Sequence, residues 1–69
     1  MYRNAKAEMM RAGLKLEDVA ETMDIRTSTL SLKLNGKSPI TLIEAKLFKK
    51  IVKSDLPLEV LFEQFEEAS

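Results

Sequence analysis

The sequence predicts an all-α fold, a compact domain of five short helices. Apolar residues recur at helical spacing along most of the chain, and no stretch alternates with the period of two that is typical of a strand. Turn and capping residues divide this pattern into short segments. A chain of 69 residues has room for one hydrophobic core, so we expect residues 1–69 to form a single domain.

The first two predicted helices end at residues that accept a positive φ. Helix one is expected over about 3–12 and ends at Gly13, which adopts the left-handed conformation without steric cost. Helix two is expected over about 16–23 and ends at Asp24, one of the few non-glycine residue types found in that conformation. The residues expected in or beside the core are Ala5, Met9, Met10, Ala12, Val19, Ala20 and Met23.

The last two predicted helices carry explicit start signals. Thr41 and Glu44 form a capping box, in which each side chain bonds a free backbone N–H, and the helix that it opens runs to about Lys53. Pro57 marks the start of helix five, which is expected to end near Glu66. The expected inner residues of these helices are Leu42, Ala45, Phe48, Val52, Leu58, Leu61, Phe62 and Phe65.

The composition argues against several classes of function. The chain has no cysteine and no histidine, and it shows no glycine-rich phosphate loop and no carboxylates at metal-ligand spacing. We therefore expect that the protein is not an enzyme and that it binds no metal, no cofactor and no small-molecule substrate. No apolar run approaches the roughly 20 residues that cross a bilayer, and a signal-peptide layout is missing. With the absence of cysteine, this predicts a cytoplasmic protein without membrane contact.

Charge is distributed unevenly along the chain, although the formal net charge is zero. Residues 1–53 contain all 11 basic residues and 6 acidic ones, a net charge of +5. Residues 54–69 contain 5 acidic residues and no basic one. A basic body with an acidic C-terminal segment is compatible with phosphate binding by the body, and also with an ordinary solvated surface.

Residues 16–34 carry the functional signal. Helix two is joined to helix three, expected over about 27–34 and closed by Asn35-Gly36, by a turn too short for antiparallel packing. The two helices must cross steeply, and Ala20 is the small residue required at their contact, with Ile25 and Leu30 filling the space between them. The outer side of helix three then faces solvent or a ligand. Its outer residues are Thr27, Ser28, Ser31 and Leu32.

Nearly the whole chain resembles the Cro and phage-repressor-like helix-turn-helix family, also called the XRE family, whose domain is lambda-repressor-like. The residues that carry the resemblance are Gly13-Leu14, Glu17-Asp18-Val19-Ala20, Met23-Asp24-Ile25, Ser28-Thr29-Leu30-Ser31 and Asn35-Gly36-Lys37. The resemblance implies a phage or bacterial transcriptional regulator whose helix three enters the major groove of double-stranded DNA, often as a repressor dimer on a two-fold operator.

The resemblance also implies roles for individual residues. The base-reading positions correspond to Thr27, Ser28 and Leu32, with Ser31 beside them. The phosphate-contacting positions correspond to Leu16, Arg26, Thr29, Asn35 and Lys37. Hydroxyl groups bond phosphate oxygens or bases, and the two cations supply positive charge, although Arg26 and Lys37 are also compatible with ordinary surface charge.

The chain departs from the family pattern at several positions. Lys15 and Leu16 replace a frequent Thr and Gln, which removes a helix cap and a polar phosphate contact. Met9 and Leu34 occupy the positions of a frequent Arg–Glu pair, an exchange that is often neutral or stabilising. Leu32 stands where Arg or Gln is common; a leucine can touch a thymine methyl but cannot make the bidentate bond that an Arg makes to guanine.

Two further hypotheses follow from exposed apolar residues. Leu16 and Leu32 on the expected DNA face suggest, as an alternative function, a protein-interaction module on the same fold that binds a repressor or another partner instead of DNA. Phe65 is not needed to close the core, which makes it a candidate contact of a homodimer.

Overall fold

The computed structural model describes residues 1–64, which form five helices and no strand. The helices are α1 (Arg3–Arg11), α2 (Leu16–Thr22), α3 (Thr27–Leu34), α4 (Leu42–Val52) and α5 (Leu58–Leu61). They pack compactly, with a Cα radius of gyration of 10.9 Å, close to the value of about 11 Å typical of a domain of this length. The predicted all-α class is thus confirmed for the described part of the chain.

One hydrophobic cluster joins all five helices. Its buried members are Ala5, Met9, Val19, Ala20, Met23, Leu30, Leu34, Phe48, Val52 and Leu61. Met9 and Leu34 are both buried here, as expected for apolar residues in place of an ion pair. Phe62 packs edge-on against the rings of Tyr2 and Phe48, with centroid distances of 5.4 and 5.6 Å. These aromatic contacts tie α5 and the N-terminus to the centre of α4.

Several residues expected in the core lie outside it. Met10 is 75% exposed, because it lies about 100° around α1 from the buried Met9. Ala12, the C-cap of α1, is exposed. Leu42, the first residue of α4, is 62% exposed. Ile25 and Phe62 are partly buried and pack against the edge of the cluster rather than within it.

The turns that separate the helices have the predicted backbone conformations. Gly13 and Asp24 have φ values of 73° and 59°, which confirms both as left-handed turn residues. Gly36, after α3, has a φ of 76°. Lys53 ends α4 with a φ of 54°. This left-handed conformation could not be predicted from the residue type, because lysine does not favour a positive φ.

The capping box at the start of α4 is confirmed. The Glu44 backbone N–H donates to Thr41 Oγ1 over 3.1 Å, and the Thr41 N–H donates to Glu44 Oε1 over 2.9 Å. The start of α2 has half of this arrangement: the Lys15 N–H donates to Asp18 Oδ2 over 3.0 Å, and no side chain caps the helix from position 15. The expected loss of a cap at α2 is therefore partly offset by Asp18.

A polar cluster connects α1 to the segment between α4 and α5. The buried Ser54 hydroxyl donates to Glu8 Oε1 over 2.6 Å and accepts from the Leu56 N–H over 3.1 Å. Arg11 Nε lies 2.8 Å from Glu8 Oε2. The hydrogen bonds from Arg11 and Ser54 hold the pKa of Glu8 below its ordinary value.

Helix α5 is shorter than the sequence pattern predicts. It ends at Leu61, and Phe62 already departs from helical geometry with φ −107° and ψ 29°. The prediction that α5 continues to about Glu66 is wrong, because residues 62–64 are not helical. Here the Gln64 amide packs against Gly36 in the α3–α4 loop. Phe65 and Glu66 lie outside the described residues.

Candidate nucleic-acid interface

The orientation of α3 is fixed by its inner face and by the turn before it. Leu30 and Leu34, one turn apart, are fully buried in the same cluster as Ala20 of α2. In the turn, the Ile25 N–H donates to the Ala20 carbonyl over 3.0 Å, directly after the left-handed Asp24. The opposite face of α3 therefore points outward in a defined orientation.

Ser28 and Leu32 are the expected base-reading residues that lie on this outer face. Thr27 and Ser28 are exposed in the first turn of α3, and Leu32, four residues after Ser28, is 48% exposed. Ser31 is half-buried rather than outward, and its hydroxyl lies 3.5 Å from Asn35 Nδ2. Its position turns toward α1, where it lines a cleft of about 180 Å³. The structure thus brings Ser28 and Leu32 together and sets Ser31 apart. Thr27 is exposed too, but its spacing places it in line with Leu30 and Leu34 at the start of α3.

The one cation within α3 is held internally. Lys33 Nζ donates to the Pro39 carbonyl over 2.9 Å and lies 3.1 Å from Glu44 Oε1. The pKa of Glu44 is lowered chiefly by the Thr41 backbone N–H, with a further contribution from Lys33. Because Lys33 is directed to α4, the exposed face of α3 carries hydroxyl and apolar side chains but no charge.

The loop after α3 is tied to the helix by backbone hydrogen bonds. The Lys37 and Ser38 N–H groups both donate to the Leu32 carbonyl, over 2.9 and 3.3 Å. Lys37 itself is exposed. This loop therefore presents a cation at a fixed place just beyond the end of α3.

The other expected phosphate contacts differ in exposure. Arg26 is exposed at the N-cap of α3, whereas Thr29 and Asn35 are half-buried. Leu16 is also half-buried and packs against the core cluster. Of these residues, Arg26 and Lys37 place exposed cations at the two ends of α3.

Lys6 of α1 also lies at the candidate interface, although no motif in the sequence marks it. Its Nζ lies 2.5 Å from Asn35 Oδ1, at the end of α3. The signal that points to it is indirect: Lys6 precedes Met9 by about one helical turn, and Asn35 follows Leu34, the residue expected opposite Met9. The contact adds a third cation on the side of α3 that faces α1.

The start of α3 also has an acidic neighbourhood. An open depression beside Arg26 and Thr27 is lined by the carboxylate residues Glu17, Glu21 and Asp24. Carboxylates repel phosphate, and the repulsion is strongest where salt does not screen it. Arg26 is the cation that offsets this repulsion at the start of α3.

Two other kinds of site, a metal centre and a membrane span, are considered for the described residues by their geometry and length. Among residues 1–64, no cluster of three or more acidic side chains has the geometry to hold a metal ion. Within the same part of the chain, no helix combines the length and the apolar character needed to span a membrane.

Comparison with known proteins gives no family: no family model matches the chain, and neither a curated protein nor a solved structure matches it.

Proposed function

We propose that this protein is a sequence-specific DNA-binding regulator of transcription, of phage or bacterial type, with a lambda-repressor-like helix-turn-helix fold. The observation that carries the proposal is the outer face of α3, fixed in orientation by Leu30 and Leu34 and flanked by the exposed cations Arg26 and Lys37. The resemblance of the sequence to the Cro and phage-repressor-like family supports the same function.

The dimensions of α3 suit the major groove. A helix with its side chains is about 10–12 Å across, and the groove of B-form DNA is about 12 Å wide. The exposed residues of the first turn, Thr27 and Ser28, are short, so they allow close approach of the helix to base edges. Leu32 lies one helical turn after Ser28 on the same face and reaches farther.

Phosphate contacts are proposed at both ends of this face. Arg26 and Lys37 bind the backbone at the two ends of α3, and Lys6 supports the second end through Asn35. Thr29 and Asn35 contribute polar groups at the edge of the contact. Leu16 has no polar side chain, so its contact with phosphate is confined to its main chain.

A fluorescence anisotropy titration tests the proposal. The full chain is titrated against a duplex from the region that flanks its own gene and against a random duplex, each at two salt concentrations. We expect tighter binding to the flanking duplex and a steep loss of affinity with salt, because phosphate binding releases counterions. Equal affinity for both duplexes would contradict sequence-specific binding.

A protein partner is the second candidate function, and one surface favours it. Met10 and the half-buried Leu16 line the cleft of about 180 Å³ between α1, α2 and α3, next to the face proposed to bind DNA. An apolar side chain of a partner helix would fill such a cleft. Binding through apolar contact changes little with ionic strength, so a protein partner bound in this cleft should keep its affinity at both salt concentrations, whereas DNA should lose affinity at the higher one.

We further propose that the protein pairs as a homodimer through its C-terminal part. Phe65, the candidate contact, lies outside the described residues. An open apolar groove lies between the starts of α4 and α5, and its lining includes Phe62, three residues before Phe65. Ile40, Leu42, Leu58 and Phe62 contribute to its lining. Sedimentation of the wild type and of Phe65→Ser tests the pairing: we expect the variant to shift toward monomer with its helix content retained. A wild type that stays monomeric at high concentration contradicts it.

A further inference from the structure

The outer face of α3 has an unusual chemical composition for a surface proposed to read DNA sequence. Side chains that discriminate bases by paired hydrogen bonds are Arg, Lys, Asn, Gln and the acids. None of these types occurs from Thr27 to Leu32, and the following Lys33 is bonded to Pro39 and Glu44. What the face offers to base edges is hydroxyl groups and one large apolar side chain.

The hydroxyl groups alone give little discrimination. A serine or threonine hydroxyl both donates and accepts, so it pairs with any of the four bases. Ser31 is in addition half-buried beside Asn35. The remaining exposed hydroxyls, on Thr27 and Ser28, therefore do not distinguish one base pair from another by hydrogen bonding.

Leu32 has a defined place on this face. Its carbonyl accepts the N–H groups of both Lys37 and Ser38, so the loop holds the last turn of α3 and with it the Leu32 backbone. The side chain remains 48% exposed. In the major groove the apolar feature of a base edge is the 5-methyl group of thymine, and 5-methylcytosine presents a methyl at the same position.

Building on the proposed function, we propose that Leu32 is a methyl-reading residue: the preferred DNA site places a 5-methylated pyrimidine against Leu32, and base preference there depends on that methyl. Burial of one methyl group corresponds to about 0.8 kcal/mol, or roughly a fourfold change in affinity. The effect is thus small for one base and measurable by a matched substitution in the DNA.

The experiment begins with selection of duplexes from a random pool by the wild-type chain. Each thymine in the selected site is then replaced singly by deoxyuridine, which removes only the methyl group. We expect one replacement to weaken wild-type binding by roughly fourfold. Leu32→Ala should bind the thymine and the uracil duplexes equally, and Leu32→Met, which stays apolar, should retain part of the difference.

A second arm distinguishes the two sources of the methyl group. At the sensitive position the T·A pair is replaced by C·G and by 5-methyl-C·G. Recovery of affinity with 5-methyl-C·G relative to C·G supports methyl reading by contact, whereas equal affinity for the two contradicts it.

Leu47→Ala is the matched control, because Leu47 is an exposed leucine on α4, outside the proposed interface. This variant should keep the full response to uracil. The methyl-reading proposal alone is overturned if Leu32→Ala still loses affinity when thymine is replaced by uracil. It is also overturned if the wild type selects a site but binds every uracil duplex as tightly as the thymine duplex. A wild type that selects no site overturns the proposed function together with it.

Discussion

The inner face of α3 is apolar and sealed from water, whereas its outer face is small, rich in hydroxyl groups and open. Leu30 and Leu34 of the inner face are fully buried, and Ser28 and Leu32 of the outer face are exposed. Fold stability and proposed recognition are therefore assigned to different residues of one eight-residue helix. Substitutions on one face should leave the property that depends on the other face largely unchanged.

The largest expected effect on stability is at the contact of α2 with the inner face of α3. Ala20→Glu would place a carboxylate at a position that is 1% exposed, and an unpaired charge in such a site costs more than the stability of most small domains. We expect loss of the cooperative thermal transition in circular dichroism. Ala7→Glu, the same change at an exposed position of α1, is the control and should fold. An unchanged melting temperature of Ala20→Glu contradicts the packing of α2 on α3.

The next effect compares the two faces directly with one type of substitution. Leu30→Ala leaves a cavity in the core and should reduce the free energy of unfolding by about 2–5 kcal/mol. Leu32→Ala removes a half-exposed side chain and should cost less than about 1 kcal/mol. Urea denaturation monitored by helix content gives both values. Similar losses for the two variants would contradict the division of α3 into a structural and an exposed face.

The inner face was predictable because its signals are local. Apolar spacing identifies Leu30 and Leu34, and the residue types at Gly13 and Asp24 announce the left-handed turns that the structure contains. The Thr41–Glu44 box is likewise a short-range pattern. Such features depend on residues within one or two helical turns, so a single sequence contains the information.

The less predictable features depend on contacts between distant residues. Lys33 reaches Glu44, 11 positions away, and Lys6 reaches Asn35, 29 positions away. Good helix formers such as Glu63 do not extend α5, because the chain there turns toward Gly36, where Gln64 packs. Tertiary placement, which no local pattern encodes, thus decides both the charge of the outer face and the end of the last helix.

A smaller effect is expected at Glu44, which links the start of α4 to Lys33 of α3. Glu44→Gln removes the ion pair and weakens the capping box, so we expect a loss of about 1 kcal/mol at neutral pH. The pKa of Glu44 lies below its ordinary value of 4.5 in the fold. Its contribution is therefore fully present above about pH 5 and is lost as the pH falls through the lowered pKa.

Denaturation at pH 7 and pH 3 measures this contribution. The wild type should lose more stability between the two values than Glu44→Gln loses. The variant keeps some pH dependence, because Glu8 also has a lowered pKa in the fold. An identical loss in both proteins would show that the Glu44 carboxylate does not stabilise the folded state.

The smallest effect on stability, and a large one on binding, is expected at the cations that flank the outer face. Arg26→Ala and Lys37→Ala remove exposed charges, so their melting temperatures should stay close to that of the wild type. Each should weaken binding to all DNA sequences alike and lower the slope of log affinity against log salt by about 0.9, the value for one lost phosphate contact. Lys50→Ala, at an exposed position of α4 outside the proposed interface, carries the same loss of charge and is the control. Equal salt slopes for Arg26→Ala, Lys37→Ala and Lys50→Ala would mean that the overall charge of the protein, and not the cations at the two ends of α3, governs the interaction with DNA.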